Sequence, residues 1–170
     1  VEDGVPTVEF HKEEPKEFPV LVRTTLTGMG GVGAVVCEDA EQFSRFSGAW
    51  WSPWYNFSIE LGVHVIDGVI HKVMKKLRDG ETEEKFPIRN SHRGYRFSRV
   101  DPGKYPKLEP VVKSFYDSSG AKYGRLDVGW DSMNKIYRVI EFNTAPGVSE
   151  NEDTLEMYGN RILNHIEEIK

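Results

Sequence analysis

Only one cysteine, Cys37, occurs in the chain, so no internal disulfide can staple it. It closes the apolar run Ala34–Cys37, where a small buried hydrophobe is the expected role rather than a reactive thiol. No apolar stretch approaches the ~20 residues that span a bilayer, and no signal peptide opens the sequence. No membrane partner is expected, and the cytoplasm is the expected compartment. Basic residues are outnumbered by acidic ones, 22 to 27, and the net charge of −5 argues against a nucleic-acid partner. There is no Ser-His-Asp signature and no cysteine–histidine zinc spacing, which sets aside the common hydrolase and zinc chemistries. Repeats and low-complexity segments are also missing.

What is present fits one compact domain of 170 residues preceded by an arm. Residues 1–18 are polar, with Pro6, Pro15 and six acidic side chains, and read as an extended arm without a fixed place until bound. Pro19–Leu26 and Ala34–Cys37 read as two strands around Thr27–Gly33, which holds four glycines in seven residues. Glu38–Phe46 suits a short helix, and the aromatic stretch Trp50–Phe57 an extended segment. Ile59–Ile66 and Val69–Leu77 flank Asp67-Gly68, a strong hairpin signal. Asp79–Glu84 reads as a charged turn. Pro106–Ser119 predicts a helix with Leu108, Val111, Val112 and Phe115 on one face. Gly124–Trp130 and Ile136–Phe142 predict paired strands. Thr154–Ile169 predicts an amphipathic helix with Leu155, Tyr158, Ile162, Leu163 and Ile166 buried. The order implies an α+β fold with mainly antiparallel sheets.

Candidate chemistry concentrates on the last strand pair. Glu141 and Asn143 are two apart and share a strand face. Pairing of the two strands brings Asp127 opposite that face, with Arg125 on the same side. Converging carboxylates repel one another unless a cation lies between them, and hard oxygen donors suit Mg²⁺. A solvated hairpin face with a structural salt bridge from Arg125 satisfies the same spacing, so both readings stand on spacing alone.

The stretch Tyr-Gly-Arg-Leu-Asp-Val-Gly-Trp-Asp-Ser, followed by Val-Ile-Glu-Phe-Asn-Thr-Ala-Pro-Gly-Val-Ser, resembles the C-terminal core of the ATP-grasp superfamily. The pattern is similar to D-alanine–D-alanine ligases and to ligases that add glutamate to a ribosomal protein. The resemblance implies two α+β lobes clasping ATP: a small lobe of about 19–57, a hinge of about 54–60 and a large lobe of about 60–170. It implies ATP and Mg²⁺ as cofactors, with Mn²⁺ as an alternative. Asp127, Glu141 and Asn143 match the metal ligands, and Arg125 matches the catalytic arginine of the acyl-phosphate and tetrahedral stages.

Upstream, Pro-Val-Leu-Val-Arg-Thr-Thr-Leu-Thr-Gly-Met-Gly-Gly-Val-Gly-Ala-Val-Val resembles the phosphate-covering hairpin. Gly28, Gly30, Gly31 and Gly33 would then approach phosphate through backbone amides. Arg23 stands where the family usually has lysine. Ser-Ile-Glu-Leu-Gly-Val-His-Val-Ile-Asp-Gly matches the segment after the adenine hinge, which makes Glu60 the ribose acid; His64 is expected to fill the strand. Lys72, Lys75 and Lys76 offer a phosphate-facing cation, with Lys72 the residue chosen. Ile-Arg-Asn-Ser-His-Arg-Gly-Tyr resembles a substrate-contacting stretch of the glutamate-adding ligases, nominating Arg89, Asn90 and Arg93.

The resemblance spans roughly residues 18–150 and implies an ADP-forming carboxylate–amine ligase, with a protein or peptide among its substrates. A nucleotide-binding structural or regulatory module without turnover, or an ATP-grasp kinase, are the alternatives. Two departures stand out. The family's separate N-terminal domain and its early phosphate-binding lysine have no counterpart before the glycine hairpin, and the Asp127–Glu141 connection is one residue longer than in D-alanine–D-alanine ligases. The expectation is therefore that a second copy, a partner protein or the macromolecular substrate closes the acceptor side. The compact form resembles stand-alone phage proteins, which would place it in a host cytoplasm.

Overall fold

A computed structural model describes residues 4–25, 32–46, 48–78, 89, 94–146 and 152–168. The first strand, Val-Leu-Val-Arg, alternates buried and half-buried positions, as a strand with one face on a core does. Strand β1 (Val20–Arg23) pairs antiparallel with both β2 (Ala34–Cys37) and β3 (Trp50–Pro53). Val20, Val22 and Cys37 point inward with Phe43 of helix α1 (Ala40–Ser44). Asp39 caps α1 by accepting from the Gln42 amide at 2.8 Å. Cys37 is buried as expected, and burial pushes its thiol pKa up.

A second, five-stranded antiparallel sheet has the order β6-β5-β4-β7-β8. Its strands are β4 (Glu60–Ile66), β5 (Val69–Arg78), β6 (Tyr95–Val100), β7 (Tyr123–Asp131) and β8 (Ile136–Asn143). The β4–β5 turn is Asp67-Gly68, with φ of 49° and 78°. That is the two-residue turn whose twist suits a hairpin. Helix α2 (Leu108–Ser119) covers one face, burying Leu108, Val111, Val112 and Tyr116 against Leu61, Val63, Val65, Val73, Leu126 and Val128. This face is the main core. Helix α3 (Glu152–Glu168) reaches the other face through Thr154 on Lys72 and Tyr158 on His64. Among the described residues, no helix is long and apolar enough to cross a membrane.

Three expectations are corrected. Strand β6 was not expected; its Tyr-Arg-Phe-Ser-Arg-Val alternation pairs it with β5. The arm has a definite place. Val8 donates to the Val139 carbonyl at 3.0 Å, His11 and Trp51 exchange backbone hydrogen bonds at 2.8 and 3.0 Å, and Val5 is buried in the main core. Polar composition argued against order, but two open sheet edges supply backbone partners that composition does not reveal. The third concerns α3. Thr154 and Tyr158 are its buried residues, whereas Leu155, Ile162, Leu163 and Ile166 are between 42% and 60% exposed. Only Tyr158 of the five residues expected inside is there. The sheet face that α3 meets is polar, so polar side chains find their partners inward.

Candidate active site

The face opposite α2 carries the candidate residues because strand register puts them there. In β7–β8, Asp127 lies directly opposite Glu141, and Arg125 opposite Asn143. The register then shifts, so that Val128 faces Val139 and Ile140 is the extra residue. This bulge lets both Phe142 and Val139 turn toward the core while Glu141 and Asn143 share the other side. Across β7–β4, Asp127 lies opposite Gly62 and Arg125 opposite His64. Four sequence-selected residues, Arg125, Asp127, Glu141 and Asn143, thus converge from two strands.

Arg125 grips Asp127 with two hydrogen bonds, Nε to Oδ1 at 2.8 Å and an Nη to Oδ2 at 3.1 Å. Both side chains are largely buried, so the chelate is stronger than a surface pair. The Arg125 guanidinium lies 4.9 Å from the centre of the Phe97 ring, and Lys76 Nζ lies 5.4 Å from it. Both cations are thus close enough for the ring to attract each. Gly62 makes room for this group. A Cβ there would stand 3.2 Å from Arg125 Cδ, 3.2 Å from the Phe97 ring and 3.4 Å from Asp127 Oδ1. Gly62 and Phe97 were not among the expected site residues. A glycine inside an apolar strand was a signal for the first, since it marks close approach of another group.

Glu60 takes two cations: Lys76 Nζ donates to Oε2 at 2.9 Å, and Arg89 lies 3.4 Å from Oε1. Arg89 also donates to the Phe57 carbonyl at 2.6 Å. Register separates the three lysines. Lys75 pairs with Leu61 on the core-facing side, whereas Lys72 pairs with His64 and Lys76 joins Glu60. Lys72 is buried and donates to Thr154 Oγ1 at 2.7 Å. Burial and Arg99 lower its pKa, against an opposing pull from Asp153. His64 fills its strand, as expected, and is held neutral. Burial first, then Arg125 and Lys72, bring its pKa down to about 4. Tyr158 donates its hydroxyl proton to the Gly124 carbonyl at 3.0 Å. His64 Nδ1 is 3.0 Å from the Tyr158 hydroxyl oxygen, whose own proton is committed, and is therefore the donor to it.

The other expected residues lie elsewhere. Arg23 ends β1 on the small sheet, opposite Ala34 and Trp50, and its Nε is buried with no hydrogen-bond partner among the described residues. Gly33 accepts at its carbonyl from the Thr24 amide at 2.8 Å and the Thr24 hydroxyl at 3.1 Å. Gly28, Gly30, Gly31, Asn90 and Arg93 lie outside the described residues. No group of three or more His, Cys, Asp or Glu side chains arranged to hold a metal ion by themselves occurs among the described residues. The candidate donor set is instead two facing carboxylates and an amide. It fits a hard cation that keeps several waters. Both oxygens of Asp127 bind Arg125, yet each carboxylate oxygen retains a second acceptor position.

No protein-family model matches the chain, and no curated protein matches it. Solved structures do. D-alanine–D-alanine ligase from Bacillus anthracis, complexed with ATP, superposes with a TM-score of 0.65 at 15% identity, over 93% of this chain and 58% of that one. The ATP-grasp ligase PsnB, complexed with a minimal precursor, Mg and ADP, gives 0.61 at 14% identity, over 89% and 49%. The chain has the ATP-grasp fold. N5-carboxyaminoimidazole synthetase from Staphylococcus aureus, complexed with ADP, shares that fold with a TM-score of 0.59 at 16% identity, over 88% and 43%. The chain spans about half the length of these ATP-grasp structures.

Proposed function

We propose that this chain supplies the nucleotide site of an ATP- and Mg²⁺-dependent ligase, which activates a carboxylate as acyl phosphate for attack by an amine. The observation that carries the reading is the register of Asp127 against Glu141 and of Arg125 against Asn143 on the sheet face opposite α2. Asp127, Glu141 and Asn143 would hold the magnesium. When bound, Mg²⁺ supplies charge neutralisation on the phosphates of ATP. Arg125, held by Asp127 and lying over the Phe97 ring, would stabilise an oxyanion on the acyl carbon. Lys76 and Arg89 fix the Glu60 carboxylate as an acceptor for sugar hydroxyls. Arg23 and Gly33 would contribute phosphate contacts from the small sheet. A peptide or protein substrate is supported by the likeness to PsnB, whose structure holds a precursor peptide.

The test is ADP release from Mg-ATP with a panel of carboxylates and acidic peptides, with hydroxylamine to trap an acyl phosphate. Hydroxamate formation that is lost in Glu141→Gln and Asp127→Asn is expected. Tight Mg-ATP binding with no ADP release from any substrate would favour a nucleotide-binding module instead. Unchanged Mg-ATP affinity in both variants would remove these residues from the metal site.

A further inference from the structure

We propose that Tyr158 of α3 is a positioning residue for Arg125, its hydroxyl clamping the backbone from which the guanidinium projects. The role of Arg125 in turnover rests on the ligase reading, whereas the clamp is a property of the fold.

Arg125 stands at the end of a strand ladder. Its pairing with Asn143 is the last between β7 and β8, and Gly124 before it pairs only with Val65 of β4 among the described residues. Ladder ends open more readily than central pairs. The residue at this end is also a glycine, the type with the most backbone freedom to lose. Packing requires it, because a Cβ there would overlap the Phe142 ring and stand 2.8 Å from the Asn143 carbonyl oxygen. A flexible unit therefore directly precedes the arginine that has to be fixed.

Tyr158 does the fixing. It is 5% exposed, and its hydroxyl donates to the Gly124 carbonyl at 3.0 Å. That carbonyl belongs to the peptide unit shared with Arg125. The same hydroxyl accepts from His64 Nδ1 at 3.0 Å, and His64 lies opposite Arg125 in the β4–β7 pairing. The contacts close a ring. Strand pairing links Arg125 to His64, side-chain hydrogen bonds link His64 to Tyr158 and Tyr158 to Gly124, and the peptide bond returns to Arg125. A buried polar network with its partners satisfied is rigid. Burial of a tyrosine does not by itself supply such partners. Tyr116, 6% exposed in the main core, has a hydroxyl with no hydrogen-bond partner among the described residues. From the anchored backbone Arg125 makes both of its hydrogen bonds to Asp127.

The test compares Tyr158→Phe with Arg161→Met in the full chain. The first cuts the clamp. The second cuts a different tie of α3 to the sheet, the ion pair with Asp67 at 2.7 Å. In the ligand-free protein, NMR follows exchange of the Arg125 Nε proton with water, its resonance assigned by its loss in Arg125→Lys. Exchange should quicken about tenfold in Tyr158→Phe and keep the wild-type rate in Arg161→Met, although both lower the thermal midpoint. His64→Leu removes the donor to Tyr158 and should quicken exchange by a smaller factor; it carries the test if Tyr158→Phe does not fold. In the hydroxamate assay, Tyr158→Phe should lower kcat about tenfold and leave the KM for ATP within about twofold, as expected for an interaction made in the transition state. Wild-type exchange at Arg125 in both Tyr158→Phe and His64→Leu would overturn the proposal. So would equal quickening in Arg161→Met, which would make α3 packing the cause. A wild-type chain without turnover would count against the ligase reading alone, and exchange at Arg125 would still decide the clamp.

Discussion

Asp131 shows how one side chain can close a hairpin. It accepts from the amides of Met133 and Asn134, both at 3.1 Å, from Asn134 Nδ2 at 2.7 Å and from Arg138 Nε at 2.9 Å. Burial by itself pushes its pKa up. The hydrogen bonds from Asn134 and Arg138 outweigh that and hold the carboxyl at about 2. A folded pKa below the unfolded one contributes stability above the unfolded pKa, and this is lost as pH falls through the folded value. The contribution, about 2 kcal/mol, should be present at pH 7 and disappear between about pH 4 and pH 2. Asp131→Asn is expected to cost about that much at pH 7 in urea unfolding and to match the wild type near pH 2. An equal deficit at both pH values would mean the hydrogen bonds, and not the charge, carry the effect.

Helix α3 is held to the large sheet by polar groups, which makes its docking sensitive to acid. The His64 pKa of about 4 lies below the ordinary histidine value of 6.5. Between these values the unfolded chain binds a proton that the folded chain resists, so stability falls as pH drops from about 6.5 to 4 and the penalty is constant below. The full loss amounts to about 3 kcal/mol. His64→Gln should flatten the stability profile across that window while leaving most of the stability at pH 7. Hydrogen exchange should localise the wild-type loss to α3 and β4. A profile as steep in the variant as in the wild type would exonerate His64.

The two sheets are joined by more than the segment 54–59. The arm pairs with β8 at Thr7–Val139 and with β3 at His11–Trp51, so one extended stretch lies along an edge of each sheet. Arg138 ties the arm in further, reaching the Thr7 carbonyl at 3.3 Å while it stacks 4.8 Å from the Tyr55 ring. A grasp that opens must bend or shed this strut. The amides of Val8 and Val139 are expected to exchange as slowly as central strand amides, and Val5→Ala to cost about 1–2 kcal/mol. Fast exchange at Val8, with no stability change in Val5→Ala, would show that the arm is not part of the folded unit.

Several features were legible in the sequence because they depend on neighbours in the chain. The Asp67-Gly68 turn, the α2 face and the strands of the last hairpin follow from local backbone preference and hydrophobic period. The two-residue spacing of Glu141 and Asn143, and of Arg125 and Asp127, fixed which residues share a face. Tertiary structure decided what required a partner distant in sequence. Lys76, not Lys72, meets Glu60 because the β4–β5 register selects it. Gly62 and Phe97 matter because β4, β6 and β7 place both against Arg125. The arm is ordered because sheet edges were open to it. The apolar side of α3 faces outward because the sheet it meets is polar. Periodicity shows that a helix has an apolar side, but only the surface it packs against determines whether that side turns inward.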